Sequence, residues 1–496
     1  MKKYIFFRVI RSLVSIFLVT TLTYVVIFQM IPRDKIFKQD VMITKLKAEP
    51  DRLADYENNA YAKMNYLEYL DTKHLVSRAQ KDGVKVDSAN SQSDKQKLQQ
   101  WAKKAGFKIK TYKQSKNFYA TRDLPLLERL GRFYGHMFEF DHPWNVQDKN
   151  NPNMKRYLKI EKDPMVGWAL VGSGTKYKYQ IYFNDSFPYI HQNFFHLNLG
   201  VSYPTFSGRK VTEVIGQRQG QTQSEQLKLD DGTTFNTADD IYSRQYQPKD
   251  KQDGVSADRY GDNYTYTDKS YSDPSMIGTS FKAGIFALII QYVVAIPMAI
   301  WMARYKGKWI DKLGTGIVTV LIAIPGLAFI YAVRFVVNSL FGIPETFPTL
   351  GASALGSWIG PIVVLGLMSV PSLVVWFRRY MIDQQSSDYV KFAKAKGLND
   401  SEIYKKHIFK NASIPIVQGI PGQIIGLIGG ATMTETIFAM PGMGKMLPDA
   451  ITANNNTIVI ALVFVFTTIS IFSILFGDIL MTIVDPRIKL SSSGGK

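Results

Sequence analysis

The sequence predicts a mainly α, polytopic membrane protein with six transmembrane helices, and an α+β extracellular domain between the first helix and the second. Three observations carry this. The chain of 496 residues divides into a polar stretch, 35–273, and two apolar stretches, 12–31 and 274–484. The apolar stretches supply segments of the ~20 residues that cross one hydrocarbon core. The net charge of +19 also splits: 35–273 holds 37 basic and 30 acidic residues, and the remainder holds 23 and 11. That second excess lies in short loops beside apolar segments, and Lys/Arg bias there marks the cytoplasmic side. Nucleic-acid binding, the rival reading of a basic chain, needs its charge gathered in one soluble cluster, and this charge is not so gathered. Cysteine is absent, so the exposed domain has neither a disulfide staple nor thiolate chemistry.

Taken in order, Lys2, Lys3, Arg8 and Arg11 precede the run Ser12–Ile31. The run exceeds a signal-peptide core and no small-x-small cleavage site follows it, so it reads as a permanent first helix with its N-terminus inside. Residues 1–34 form this first region and 35–273 the extracellular domain. Within that domain Asp51–Tyr69, Ser93–Ala105 and Leu124–Phe140 have helical patterning. Tyr177–Phe183 alternates as a strand does, and Asp230-Asp231-Gly232 suits a hairpin turn. Ser243–Asp273, rich in Tyr, Asp and Lys, is expected to be a linker or mobile rim. The apolar core, 274–489, then holds five spans: Ile277–Ala303, Leu313–Leu340, Ser357–Phe377, Ser413–Thr436 and Thr457–Val484. Residues 490–496 are a cytoplasmic tail, and both termini are expected inside.

The loop 378–412, between the fourth and fifth spans, carries the strongest pattern. It reads Asp388-Tyr-Val-Lys-Phe-Ala-Lys-Ala-Lys-Gly397, then Lys406-His-Ile-Phe-Lys-Asn-Ala-Ser-Ile-Pro415. Tyr389, Phe392, Ala393 and Lys396 recur at helical spacing. Gly397 interrupts, and Asn399 with Glu402 three residues on forms a capping box that starts a second helix. Together these strings resemble the EAA loop of ABC-importer permeases, in the oligopeptide/dipeptide branch, B-type subunit. The Glu-Ala-Ala positions themselves read Lys391-Phe392-Ala393. The opening Met1–Arg8, the segment from His191 to Gly200, and Thr434-Glu435-Thr-Ile-Phe-Ala-Met-Pro-Gly-Met-Gly444 are also similar to that family, so the resemblance covers 1–34 and about 190–489. The stretch 35–185 is a large insert that a typical member lacks.

The resemblance implies a type I ABC-importer permease fold in the plasma membrane. It further implies a subunit that moves oligopeptides inward on ATP hydrolysed elsewhere. The implied partners are a second homologous permease subunit, two cytosolic ATPases and an extracellular, lipid-anchored peptide-binding protein, with membrane lipid around the spans. ATP and Mg would act through the partners, and no cofactor would bind this chain directly. The coupling residues carried over are Asp388, Tyr389, Ala393, Ala395, Lys396, Gly397, Glu402, His407, Asn411 and Pro415. Ala393, Ala395 and Gly397 are expected to allow close packing at the joint with an ATPase. Two other readings remain: the same architecture importing nickel or haem, or a membrane-anchored surface sensor. The missing Cys and the large insert point to a Gram-positive bacterium.

Other motifs are weaker. No Gly-x4-Gly-Lys-Ser/Thr phosphate loop occurs, and Pro441-Gly-Met-Gly-Lys445 lacks the hydroxyl after Lys. The chain therefore has no catalytic residues of its own to nominate. Gly422, Gly426 and Gly430 make a small-x3-small face for helix packing or the pathway. Packing within the chain is the favoured reading, and contact with a second permease subunit is the sharper one. Lys282, Arg334, Glu435 and Asp478 fall within spans, where interfacial snorkelling or structural pairing is the expectation. His191 and His196 lack a metal-ligand spacing, so no metal site is expected.

Overall fold

The structure is a computed structural model, and it describes residues 2–86, 91–185, 189–228 and 232–484. Asp230, Asp231 and the tail after Val484 lie outside these, and with them the hairpin turn and the end of the chain singled out above. The chain forms two units, one made of Met1–Lys35 with Pro274–Lys496 and the other of Ile36–Asp273.

The Ile36–Asp273 unit is α+β. An antiparallel three-stranded sheet, ordered Leu67–Leu70, Phe118–Asp123, Lys108–Thr111, is covered by the helices Thr72–Lys81 and Gln92–Ala105. Leu75, Ala79, Leu98, Trp101, Phe118 and Ala120 close its core. Asp71 and Ser91 cap the two helices by accepting from the backbone N–H groups of His74 and Asp94. A second, four-stranded antiparallel sheet runs Tyr157–Asp163, Gly167–Ser173, Tyr179–Phe183, Ile190–Gln192. One face buries Ala169, Val171 and Tyr179. The other, by the period of two along each strand, carries Leu158, Ile160, Trp168, Phe183 and Ile190, all exposed.

Two expectations for this unit fail. Strands were expected from Tyr177 onward, yet six precede it. They are short, and several mix Lys, Glu and Thr with aromatics, which blurs the alternation. The stretch 243–273 is not a linker but part of the core. Arg244, 1% exposed, donates to the Tyr264 carbonyl (2.9 Å) and to the Tyr179 hydroxyl (3.0 Å), and pairs with Asp262. Lys178 bridges Asp163 (2.8 Å) and Asp262 (3.0 Å). Burial pushes the Asp163 carboxyl up, but the Lys178 ammonium beside it outweighs that and holds it below the usual carboxylate range. Composition alone hides such a segment, because tyrosines and paired charges order it where aliphatics ordinarily would.

The other unit is a helical bundle. Five helices are long and apolar enough to cross a membrane: Lys2–Met30, Met276–Arg304, Leu355–Gln385, the run from Asp400 to Ile437, and Asn456–Val484. The third stretch, expected as one span, is a pair of helices, Trp309–Ala323 and Gly326–Phe341, bent by 111° at Ile324-Pro325. Pro325 has no N–H to continue the first helix and starts the second, where its fixed φ fits. Hydropathy is continuous across this break, so the turn was invisible to it. Among the described residues, five helices are thus long and apolar enough to span, or six if the bent pair counts as one. Met276–Arg304 and Leu355–Gln385 pack closely: a Cβ on Gly366 would lie 2.9 Å from the Ala287 carbonyl oxygen. Gly477 plays the same part between Asn456–Val484 and the backbone at Gln418.

Candidate functional site

The loop after Leu355–Gln385 is an ordered module keyed into the bundle on one side only. Helix Asp388–Ala395 buries Val390 and Ala393, and the following turns bury Ile403 and Ile408, all within one cluster with Val374, Phe377, Met381 and Ala303. Tyr389 donates its hydroxyl to Gln384 Oε1 (2.7 Å), and its ring lies 6.3 Å from that of His407. Asn399 and Glu402 make the capping box in both directions, at 2.9 and 3.3 Å. Ile403–Ile408 then winds as a π-helix before Phe409–Gly430 continues. In that wider turn Tyr404 reaches the Ala303 carbonyl at 3.4 Å.

The opposite side faces outward. Asp388, Lys391, Lys394, Ala395, Lys396 and Gly397 are exposed. Lys391, 2.9 Å from Asp388, holds that carboxyl below its ordinary range. Of the three small residues expected to pack closely, only Ala393 is buried, and it faces the bundle. Gly397 has open space around it and φ +77°, so it supplies a left-handed turn rather than close approach. Asn411 is half-buried, and Pro415 lies inside the next helix and lines the cavity described below.

Two features here escaped the sequence reading. Phe392 is 69% exposed in the middle of the basic face, an aromatic ring left open by the described residues. Its place three residues after Tyr389 was visible, but not which face it shared. Asp311 forms a bidentate pair with Arg378 (2.7 and 2.7 Å) and accepts from the Gly307 N–H. This clamp ties the first turn of Trp309–Ala323 to the end of Leu355–Gln385 where the loop begins. The available signal was that Asp311 is the single acid among Arg304, Lys306, Lys308 and Lys312.

A cavity of about 520 Å³ opens among three helices, Met276–Arg304, Leu355–Gln385 and Phe409–Gly430. Gln291, Ser369, Ser372, Trp376, Gln423 and Gly426 are among the residues that line it. A Cβ on Gly422 or Gly426 would meet nothing within 4 Å. The favoured packing within the chain therefore does not occur at these two; Gly366 and Gly477 do that work. The surroundings of Gly430 fall outside the described side chains.

Charges within the spans are held by local partners. Glu435, 1% exposed, accepts from the Ser280 hydroxyl (2.6 Å) and the Lys445 N–H (2.7 Å) at the start of helix Met443–Thr452. Asp478 meets Arg8 (3.3 Å), Tyr4 (3.3 Å) and Gln418 (3.4 Å). Arg334 donates to the Ile437 carbonyl and pairs with Glu345, and Lys282 sits 4.3 Å over the Trp358 ring. His196 bonds the Asn193 carbonyl and His191 stacks on Tyr182. Among the described residues no group of His, Asp and Glu could hold a metal ion.

Comparison with known proteins fits this architecture. Residues 295–490 match the family described as "Binding-protein-dependent transport system inner membrane component". The chain is 49% identical over its full length, and over the full length of the relative, to the oligopeptide transport system permease protein AmiC of Streptococcus pneumoniae. It is 31% identical to the dipeptide transport system permease protein DppB of Lactococcus lactis, over 47% of this chain and 76% of that protein. Among solved structures, a chain of the MetNI methionine ABC transporter is 14% identical, with TM-score 0.36, covering 42% of this chain and 93% of that one. The chain thus belongs to the permease family of ABC importers, the membrane-embedded subunits of binding-protein-dependent transport systems. By family it is a multi-pass transport subunit and not itself a catalytic enzyme.

Proposed function

We propose that this permease imports oligopeptides, drawing its energy from ATPase subunits that dock on the loop 378–412. The observation that carries the energy-coupling reading is the loop's two-sidedness. Its buried face is locked to the spans through Val390, Ala393, Ile403 and Ile408, and its exposed face offers Phe392 amid Lys391, Lys394 and Lys396. A rigid connector with a free aromatic anchor is what a motion-transmitting joint requires. The loop therefore lies in the cytosol, both termini lie there too, and residues 36–273 lie outside the cell, as the Lys/Arg-rich short loops also indicate. The likeness to the pneumococcal permease supports the oligopeptide substrate and a Gram-positive host.

In this reading Mg-ATP closes an ATPase pair. The movement enters at Phe392 and the Asp388–Ala395 helix, and the Asp311–Arg378 clamp and the buried cluster pass it to the spans. A second permease subunit completes the pathway. The open face at Gly422, outside the cavity wall, is the surface we assign to it, since a partner helix can approach closely there. The Ile36–Asp273 unit positions the lipid-anchored peptide receptor, and its exposed sheet face with Ile160, Trp168 and Ile190 is the surface offered. Nickel or haem import is not favoured, and a sensor would have no use for a coupling loop.

The test is co-purification. The tagged permease should bring down its ATPases from detergent-solubilised membranes, and Phe392→Asp should lose them while the other permease subunit stays bound. ATPases retained at wild-type yield by Phe392→Asp would count against this docking face. Ile160→Lys with Trp168→Asp should impair receptor-dependent uptake without changing the membrane level of the protein; unaltered uptake would remove the receptor role.

A further inference from the structure

The cavity of about 520 Å³ falls in the size range of small-ligand pockets. Two features of its wall say what it could hold. First, the described residues lining it include no Asp, Glu, Lys, Arg or His. Its polar groups are neutral: Gln291, Gln423, Ser369, Ser372, Tyr380 and the Trp376 ring edge. Second, two of those groups are left wanting. Gln291 is 3% exposed, and its Nε2 donates to the Ser369 carbonyl at 3.4 Å, yet its Oε1 accepts nothing from the described residues. Gln423 Oε1 is likewise buried and without a donor. Buried amide oxygens are costly when unpaired, so an amide that turns into the cavity would select for a ligand that brings N–H groups.

We propose that this cavity is a binding site for the main chain of the transported peptide, with Gln291 and Gln423 accepting its backbone N–H groups. The proposal rests on the oligopeptide reading above and deepens it. The neutral wall follows from the same logic. A fixed charge would favour one class of side chain and repel another, whereas amide oxygens and the Trp376 and Tyr380 rings (6.0 Å apart) treat every backbone alike. A metal ion is poorly served, since the wall offers it neither carboxylate nor imidazole.

The experiment uses the intact transporter in cells whose own copy of this permease is deleted. The probes are three radiolabelled pentapeptides, identical except for a central Ala, Glu or Lys. Gln423→Glu and Gln423→Lys place a charge of either sign in the cavity, the first at unchanged size. Relative to wild type, Gln423→Glu should raise the Lys-to-Glu uptake ratio about fivefold and Gln423→Lys should lower it similarly, the effect of one partly solvated charge pair. Gln291→Leu should lower uptake of all three probes alike. Receptor selectivity cancels, because each ratio is referred to wild type. Ratios unchanged for both charged variants, at wild-type membrane levels and with uptake above the deletion background, would overturn the site. Wild-type uptake no higher than the deletion background would instead overturn the peptide reading on which it rests.

Discussion

A carboxylate such as Glu435, almost wholly buried among apolar helices, persists only because donors surround it. The Ser280 hydroxyl and the first N–H groups of Met443–Thr452 supply them, the position where a helix favours negative charge. Gly442 and Gly444 let the helix start come this close: a Cβ on Gly442 would collide with the Glu435 carboxylate. The Gly-Met-Gly string, which from sequence could only be set apart from a phosphate loop, is thus the cradle of a buried acid. Gly442→Ala should destabilise the solubilised protein by about 1–3 kcal/mol, whereas Gly422→Ala, which meets nothing, should leave its melting temperature unchanged. Equal effects in a thermal-shift series would contradict this packing. In the other unit, burial raises the Asp239 carboxyl, but Lys269, Thr237 and Thr267 outweigh it and bring it from 3.8 to about 2. A pKa depressed on folding stabilises above about pH 4 and loses that contribution as pH falls towards 2. Asp239→Asn should therefore flatten the acid limb of unfolding of this unit between those values, and an unaltered limb would show the pairing to be idle. Residue partners of this kind were not legible in the sequence, because Ser280 and Glu435 are 155 residues apart.

At the scale of elements, the spans were legible because length and hydropathy alone define them. The capping box was legible because its two side chains are three residues apart. The break at Pro325 was not, since hydropathy carries no angle. Nor were the strands before Tyr177, which are short and mix Lys, Glu and Thr with aromatics. The coupling loop shows both cases: its helix-Gly-helix form could be read, but its buried and exposed faces could not. Gly397 needs φ +77°, which costs a β-branched residue about 1–2 kcal/mol or more. Gly397→Val should therefore lose most uptake with normal membrane insertion, and Gly397→Asn, tolerant of that turn, should keep more of it. The reverse order would mean that the turn is not what the glycine provides. Arg378→Met strands the nearly buried Asp311 carboxylate and should cost about 1–3 kcal/mol after allowing for the partly exposed guanidinium. Adding Asp311→Asn should recover much of that, and a strictly additive double mutant would show the two not to be coupled.

At the scale of the molecule, two units of different chemistry share one chain. One unit is ordered by aromatic and charge pairs, and the other by apolar helices with few charges, among them Glu435, Asp478 and Arg334, each held by a local partner. The large polar insert could be recognised by composition, but its use could not, since no catalytic or metal-binding pattern accompanies it. The joint we propose for the ATPases is the loop 378–412, whose inward face belongs to the bundle and whose outward face carries Phe392. The most direct test is labelled-oligopeptide uptake in cells deleted for this protein, then restored with wild type or with Phe392→Asp. Loss on deletion, rescue by wild type and no rescue by Phe392→Asp at equal membrane levels is the predicted result. Full rescue by Phe392→Asp, or uptake untouched by the deletion in cells without a second peptide importer, would contradict it.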